Sequence, residues 1–329
     1  MRSHSEIFLG NTQLHTHLPE ASGEMVQMNS ARFYKISNFD AMPPFFMTLT
    51  GSGDHWMFLS SNGGITAGRR DPRNALFPYT TDDKVTDSAG KTGSLSIFRI
   101  HKEGRTYLWE PFLEDNRVYA LQRNLYKSEY GSMLIFEEIN STFGITFSYS
   151  WQFSNIYGFV KRSKLVNHSG EDLDVELLDG LQNLLPYGVD EGMQMQYSTL
   201  VDAYKKNELD EGSGIGIYYL NSIPTDKAAP SEGLKATTVW SAGLENCRRL
   251  LSTAQLDDFR MGKTPEEERE VRALRGAYFV SASIQLRSDR EKSWYTVAEL
   301  EQDRTAILRL DEALKKSGQL IRNLNDDCL

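Results

Sequence analysis

The sequence predicts an all-β protein, a large antiparallel sandwich closed by a C-terminal helix. Three observations predict it. Ile145-Thr146-Phe147-Ser148-Tyr149-Ser150-Trp151 alternates apolar and hydroxyl residues, the period of a strand with one buried face. Arg162 to Asn167, His168 to Asp172 and Leu173 to Leu178 read as strand, turn and strand of one hairpin. Between Gly93 and Trp151, short β-branched or aromatic runs such as Leu95 to Ile100 and Thr106 to Trp109 recur between Gly, Asp and Asn, as strands separated by turns do.

Composition bounds the rest. Hydrophobic residues at 40% and aromatics at 11% suffice for a sizeable core, which excludes global disorder. A net charge of −9 argues against a general nucleic-acid or anionic-membrane binder, because both need a basic face. The two cysteines, Cys247 and Cys328, supply neither a disulfide framework nor a cysteine zinc site. No apolar run approaches the roughly 18 residues of a membrane span. Polar Asn11-Thr12-Gln13 follows the N-terminus where a secretion signal would be apolar, so a cytoplasmic location is expected.

In chain order, residues 1–30 form an irregular lead-in, 31–302 the sandwich and 303–329 a C-terminal helix. Phe33 to Ile36 opens the ordered part, and Asp40 to Pro44 is a turn, since consecutive prolines remove ladder donors. Phe45 to Leu49 and Trp56 to Leu59 read as strands, Asn62-Gly63-Gly64 as a tight turn and Ile65 to Ala67 as the return strand. Gly68-Arg69-Arg70-Asp71-Pro72-Arg73-Asn74 follows. Three guanidiniums and an aspartate, stiffened by proline, suit recognition of phosphate, carboxylate or sugar hydroxyls better than a core. Met193 to Glu211 reads as a helix or an irregular strand, while Gly214 to Leu220, Thr237 to Trp240, Ala277 to Leu286 and Trp294 to Leu300 read as strands. Thr264-Pro265 followed by glutamates has the form of a helix start. Asp303 to Leu324 carries Ile307, Leu310, Leu314 and Ile321 near one stripe, interrupted by Gly318.

Intrinsic chemistry is sparse. Glu110 beside Trp109 is the best carboxylate for glycoside chemistry, although its place in a strand suits a structural or sugar-binding role better. Of Glu137-Glu138, one is expected in solvent and the other in a sheet-edge pair. His15-x-His17 lacks partners for a metal site, and no metal is expected. His55 follows a Gly-Ser-Gly-Asp loop where it could gate a ligand. Neither His101 nor His168 has an evident glutamate partner for epimerase chemistry. The Gly212-x-Gly214-x-Gly216 spacing lacks the Lys-Ser/Thr pair and helix of a phosphate loop. Trp56, Trp109, Trp151, Trp240 and Trp294 are expected in the core, with room for one or two on a sugar-stacking platform.

The order of four segments adds to this reading. Ser61-Asn62-Gly63-Gly64 followed by Gly68 to Asn74 resembles the N-terminal domain of inverting glycoside phosphorylases of the cellobiose phosphorylase type. Tyr107-Leu108-Trp109-Glu110-Pro111-Phe112, Phe159 to Ser169 and Pro224 to Trp240 are similar to later segments of that domain and its relatives. The resemblance implies a galactose-mutarotase-like supersandwich and a non-catalytic, carbohydrate-associated role. It further implies that Asn62, Arg69, Arg70, Asp71 and Arg73, with Trp109 and Glu110 nearby, face an oligosaccharide or sugar phosphate. No catalytic residue is carried over, because the family's acid belongs to an (α/α)6 barrel that would follow this domain as its partner. Inorganic phosphate would be the parent enzyme's co-substrate, no further cofactor is implied, and a homodimer is compatible. Two rivals stand beside it: a free-standing sugar-binding sandwich and an aldose epimerase.

Overall fold

The apolar runs resolve into strands, several of them buried on both faces, in a computed structural model that describes residues 6–16, 19–28, 31–113, 117–222 and 234–327. An eleven-stranded antiparallel sheet dominates. Its spatial order is Glu270–Arg272, Lys205–Leu209, Gly216–Leu220, Lys235–Ala242, Glu291–Asp303, Gly158–Asn167, Ile145–Ser154, Met133–Asn140, Leu121–Ser128, Ala31–Ser37 and Ser22–Met28. A five-stranded sheet runs Arg105–Trp109, Gly93–Lys102, Leu173–Leu184, Gly276–Leu286 and Arg248–Leu250. A four-stranded sheet runs Phe46–Leu49, His55–Ser60, Ile65–Arg69 and Ala75–Phe77.

One core joins all three. Phe147, Trp151, Phe159 and Trp294 of the large sheet meet Phe98, Trp109 and Leu177 of the five-stranded sheet and Met57, Leu59 and Phe77 of the four-stranded one. Each such side chain, fully withdrawn from water, contributes roughly 1.5–3 kcal/mol. The protein is therefore the all-β antiparallel sandwich that the alternation predicts. Within the core, Asp179 bridges the layers. It accepts from Lys161 Nζ at 2.7 Å, Ser96 Oγ at 2.5 Å, Ser163 Oγ at 3.0 Å and Trp294 Nε1 at 2.6 Å. Burial pushes the Lys161 amine below its ordinary range, against the opposing pull of Asp179.

The structure corrects several expectations. The two arms of the expected hairpin belong to different sheets: Gly158–Asn167 pairs with Ile145–Ser154 and Glu291–Asp303, Leu173–Leu184 with Gly93–Lys102 and Gly276–Leu286. Asn167 Nδ2 donates to Glu171 O at 2.7 Å and Leu286 O at 2.9 Å, which fastens the corner where the chain changes layer. The acidic run after Thr264 is not helical; helix Leu256–Arg260 precedes it instead. Glu268 accepts from Leu251 N, Ser252 Oγ and Gln255 Nε2 at 2.7–3.0 Å, so tertiary partners outweigh the capping signal. Met193 to Glu211 combines helix, 3₁₀ turn and strand.

Two helices, Arg304–Lys315 and Ser317–Asp327, replace the single C-terminal helix, with the break just before Gly318. Leu310, Leu314 and Ile321, with Leu320 and Leu324, pack against Val160, Trp240, Tyr295 and Val297 on the outer face of the large sheet. The apolar stripe from Leu310 onward is thus covered by the fold's own sheet, while Ile307 lies outside this cluster, half-buried. In the N-terminal lead-in, Ser22–Met28 pairs with Ala31–Ser37 along the edge of that sheet.

Candidate functional site

The Arg69–Arg73 loop is positioned by two backbone irregularities that face each other. On one side, the register slips between Ala67 and Gly68 where strand Ile65–Arg69 meets Ala75–Phe77. Arg70 takes a left-handed backbone, φ 61°, and its N–H donates to Asp54 O at 2.7 Å. Asp71 closes the turn: its Oδ1 accepts from Arg73 N at 2.9 Å, and its carbonyl from Asn74 N at 3.1 Å. On the other side, the last strand carries a bulge, with Ala236 opposite Gln302 but Thr238 opposite Glu299. Glu301 is left-handed there, φ 59°. Bulges re-aim side chains, and here the two slips bring arginines and glutamates together.

The result is an ion-pair network. Arg69 donates from Nε to Asp54 Oδ1 at 2.8 Å, with Nη2 2.7 Å from the same oxygen and Nη1 3.4 Å from Glu299 Oε2. His55 Nε2 stands 3.1 Å from Glu299 Oε2, and Leu300 N donates to Glu299 Oε1 at 2.7 Å. Arg70 pairs with Glu301 and lies 4.0 Å from Asp54, and Arg73 Nη2 donates to Asp71 Oδ2 at 2.8 Å. Burial works against the Asp54 carboxylate, but Arg69 outweighs it and holds the group below the ordinary carboxylate range. The Arg73 hydrogen bond lowers Asp71 in the same direction. His55 is enclosed: its side chain is 3% exposed, stacked on Phe153 at 5.5 Å and edge-on to Phe159 at 5.0 Å. Gly158, φ 91°, lets the neighbouring turn approach; a Cβ there would stand 2.5 Å from Ala298 O and 2.7 Å from the Glu299 carboxylate.

An aromatic row runs along the opposite face of the four-stranded sheet. Ring centroids step from Phe46 to Phe58 at 5.5 Å, from Phe58 to Trp56 at 5.6 Å and from Trp56 to Tyr79 at 5.9 Å. Trp56 lies across Gly68, where a Cβ would meet the indole at 2.5 Å. Phe46 is 41% exposed and the other three rings are half-buried.

The site residues read from the sequence are only partly gathered. Arg69, Arg70, Asp71 and Arg73 share one loop. Asn62 lies at the closed end of the same hairpin, where its Nδ2 donates to Thr86 O at 3.2 Å and its Oδ1 accepts from Gly64 N at 3.3 Å. Trp109 ends the edge strand of the five-stranded sheet, and Glu110 follows directly after it. Trp109 is 0% exposed and donates to Glu138 at 2.7 Å, while Glu110 accepts a two-pronged bond from Arg260, both arms 2.8 Å. Glu137 and Glu138 lie on an interior strand. Glu138 is fully buried among Trp109, Phe112 N and Arg123, while Glu137 is half-buried and accepts from Asn124 and Tyr126. Trp109, Trp151, Trp240 and Trp294 are buried, which leaves Trp56 as the half-buried one.

Sequence reasoning missed Asp54, Glu299 and Glu301. Asp54 adjoins His55 and was within reach of inspection, whereas Glu301 pairs across 231 positions without a local signal. A second pair the sequence concealed, His101 Nε2 to Glu176 at 3.2 Å, lies near Arg99 on the five-stranded sheet. Among the described residues no group of three or more His, Cys, Asp and Glu could hold a metal, and His17 of the His15-x-His17 pair lies outside them. No helix among them is long and apolar enough to cross a membrane.

No protein-family model matches this chain, and no curated protein does. Solved structures overlap it loosely. A candidate aldose 1-epimerase from Escherichia coli K12 is 12% identical over 79% of this chain and 99% of its own, with a TM-score of 0.43. A bacterial glucoamylase complexed with acarbose is 10% identical over 92% of this chain and 38% of its own, TM-score 0.38. For a candidate kojibiose phosphorylase from the human microbiome the figures are 16%, 67%, 26% and 0.34. At these identities and scores none of them bears on the chemistry of this chain.

Proposed function

We propose that this chain is a carbohydrate-associated sandwich domain that binds a glycan at the Arg69–Arg73 loop without catalysing its breakdown, as the non-catalytic domain of a glycoside phosphorylase-like or hydrolase-like enzyme. One observation carries the reading: Glu110 and the acid and base beside the loop, Glu299 and His55, are already committed. Glu110 is held by Arg260, and Glu299 by His55, Arg69 and the Leu300 amide. His55 is closed off between two phenylalanines. A general acid must reach the atom it protonates, and these groups are largely enclosed, at 3% of the side chain exposed for His55, 9% for Glu110 and 12% for Glu299. By contrast Arg70 and Arg73 are 51% and 78% exposed at the side chain, free to turn their outer N–H groups toward sugar hydroxyls. The C-terminal apolar stripe is occupied by the large sheet. A stripe packed in this way supports a self-sufficient domain over one that awaits a partner at this helix.

The His55–Glu299 contact favours one second reading, an aldose epimerase, in which the pair would serve as acid and base. A glycan array probed with the full chain, beside polarimetry of freshly dissolved α-glucose and α-galactose and a phosphate-release assay, separates the two. Retention of a glycan with mutarotation and phosphate release at buffer rates is the expected outcome. Mutarotation above buffer that Glu299→Gln abolishes would replace the binding reading with the epimerase.

A further inference from the structure

Resting on that reading, we infer that the site takes an uncharged glycan, laid along the Trp56–Tyr79 end of the aromatic row, and excludes phosphate and other anions. The charges decide it. Arg69 is held by Asp54 and Glu299, Arg70 by Glu301 with Asp54 beyond, and Arg73 by Asp71. Three guanidiniums thus stand against four carboxylates, and the charge of Asp190 acts on Arg73 as well. An incoming phosphate has to displace a carboxylate that already makes the bonds it would make, and then remain among the others. A hydroxyl has to displace nothing. It donates to a carboxylate oxygen with a lone pair to spare and accepts from an outer guanidinium N–H.

The aromatic row points the same way. Trp56 is paired with Gly68, one residue before Arg69, so the ring that lies flat over the strand ends beside the loop. Tyr79 stands edge-on to it at 5.9 Å. Pyranose C–H faces pack on such rings without needing charge. Part of the Trp56 ring packs against Ala75, Leu185, Val189, Val201 and Leu220, so the apolar floor is what it and Tyr79 leave exposed, beside a rim of self-neutralised polar groups, the complement of a neutral polyhydroxyl chain.

Isothermal titration of the full chain with cellohexaose, maltohexaose and mannohexaose, and in parallel with hexagalacturonate, glucose 1-phosphate and inorganic phosphate, tests the inference. At least one neutral hexasaccharide should bind about tenfold or more tightly than any of the three anions. Tyr79→Ala, at the rim of the row, should weaken that neutral ligand about tenfold, and Asp71→Asn should narrow the gap by improving the anions. An anion that binds as tightly as the best neutral sugar overturns the inference and leaves the carbohydrate reading standing. Unchanged neutral affinity in Tyr79→Ala overturns the placement on the aromatic row. If no sugar of either kind binds, the carbohydrate reading fails and the inference fails with it.

Discussion

Arg70 and Glu301 are 231 positions apart, both hold left-handed backbones, φ 61° and 59°, and their side chains form an ion pair. Neither conformation is favoured by a residue with a Cβ. Each costs of order 1–3 kcal/mol and persists only where the surroundings over-determine it. The pairing of two such residues marks the place where the four-stranded sheet is fastened to the large one.

Glu301→Gln keeps the backbone and removes the charge of a pair whose arginine is half exposed, so a loss of about 1 kcal/mol is expected. Glu301→Val puts a β-branched side chain at positive φ and should cost clearly more, roughly 1–3 kcal/mol. Urea midpoints of the two variants in parallel give the comparison; equal midpoints would mean that the left-handed backbone is not what the site pays for in stability.

Gly68→Ala would place a Cβ 2.2 Å from Asn74 O and 2.5 Å from the Trp56 indole. The backbone oxygen cannot move without opening the loop, so a loss of about 1–3 kcal/mol is expected. It should be accompanied by a change in tryptophan fluorescence, and wild-type emission in a fully folded variant would count against the stacked geometry.

Lys161→Met leaves Asp179 buried without its cation and should destabilise by about 3–5 kcal/mol. Adding Asp179→Asn keeps an acceptor oxygen for Ser163 and Trp294, turns an amide N–H toward the Ser96 hydroxyl and removes the stranded charge. The double variant should therefore be more stable than the single one, as a thermal-unfolding cycle will show.

Asp54 gives a pH dependence with a definite sign. Its folded pKa lies below the ordinary value of 3.8, because Arg69 outweighs the effect of burial. The stabilisation is thus complete above the unfolded value and lost as pH falls through the folded one. Thermal midpoints of wild type should fall more steeply below about pH 4 than those of Asp54→Asn. Identical slopes would remove Asp54 from the acid response.

Much of the fold was legible because burial imposes its period on the chain. Ile145 to Trp151 shows that period, with Phe147, Tyr149 and Trp151 in the core, although Thr146, Ser148 and Ser150 on the other face are buried too. The Asn62-Gly63-Gly64 turn was legible for a local reason too, since Gly63 adopts φ 89°. Leu173 to Leu178 was legible as a strand but not in its pairing. A four- or five-residue connection suits a hairpin and a sandwich corner equally, and only partners more than 70 residues away, such as His101 and Leu286, distinguish them. The site follows the same rule. Arginines that adjoin in sequence were visible, whereas the glutamates that neutralise them arrive through a bulge in the last strand. Trp109 and Glu110 looked like ligand groups because sequence shows residue type and conceals that Glu138 and Arg260 already hold them.

The place of Glu291–Asp303 in the large sheet has a consequence for how the chain becomes a protein. This strand lies between Gly158–Asn167 and Lys235–Ala242 and is the seam between the two wings of the sheet. During synthesis the wings emerge first and wait, each with an open edge, until the seam strand leaves the ribosome. Such long-range closure is slow, and open edges invite pairing with a neighbouring chain. Expression at lower temperature, or with chaperones that shield strand edges, should raise the yield of folded protein more than any change at the surface.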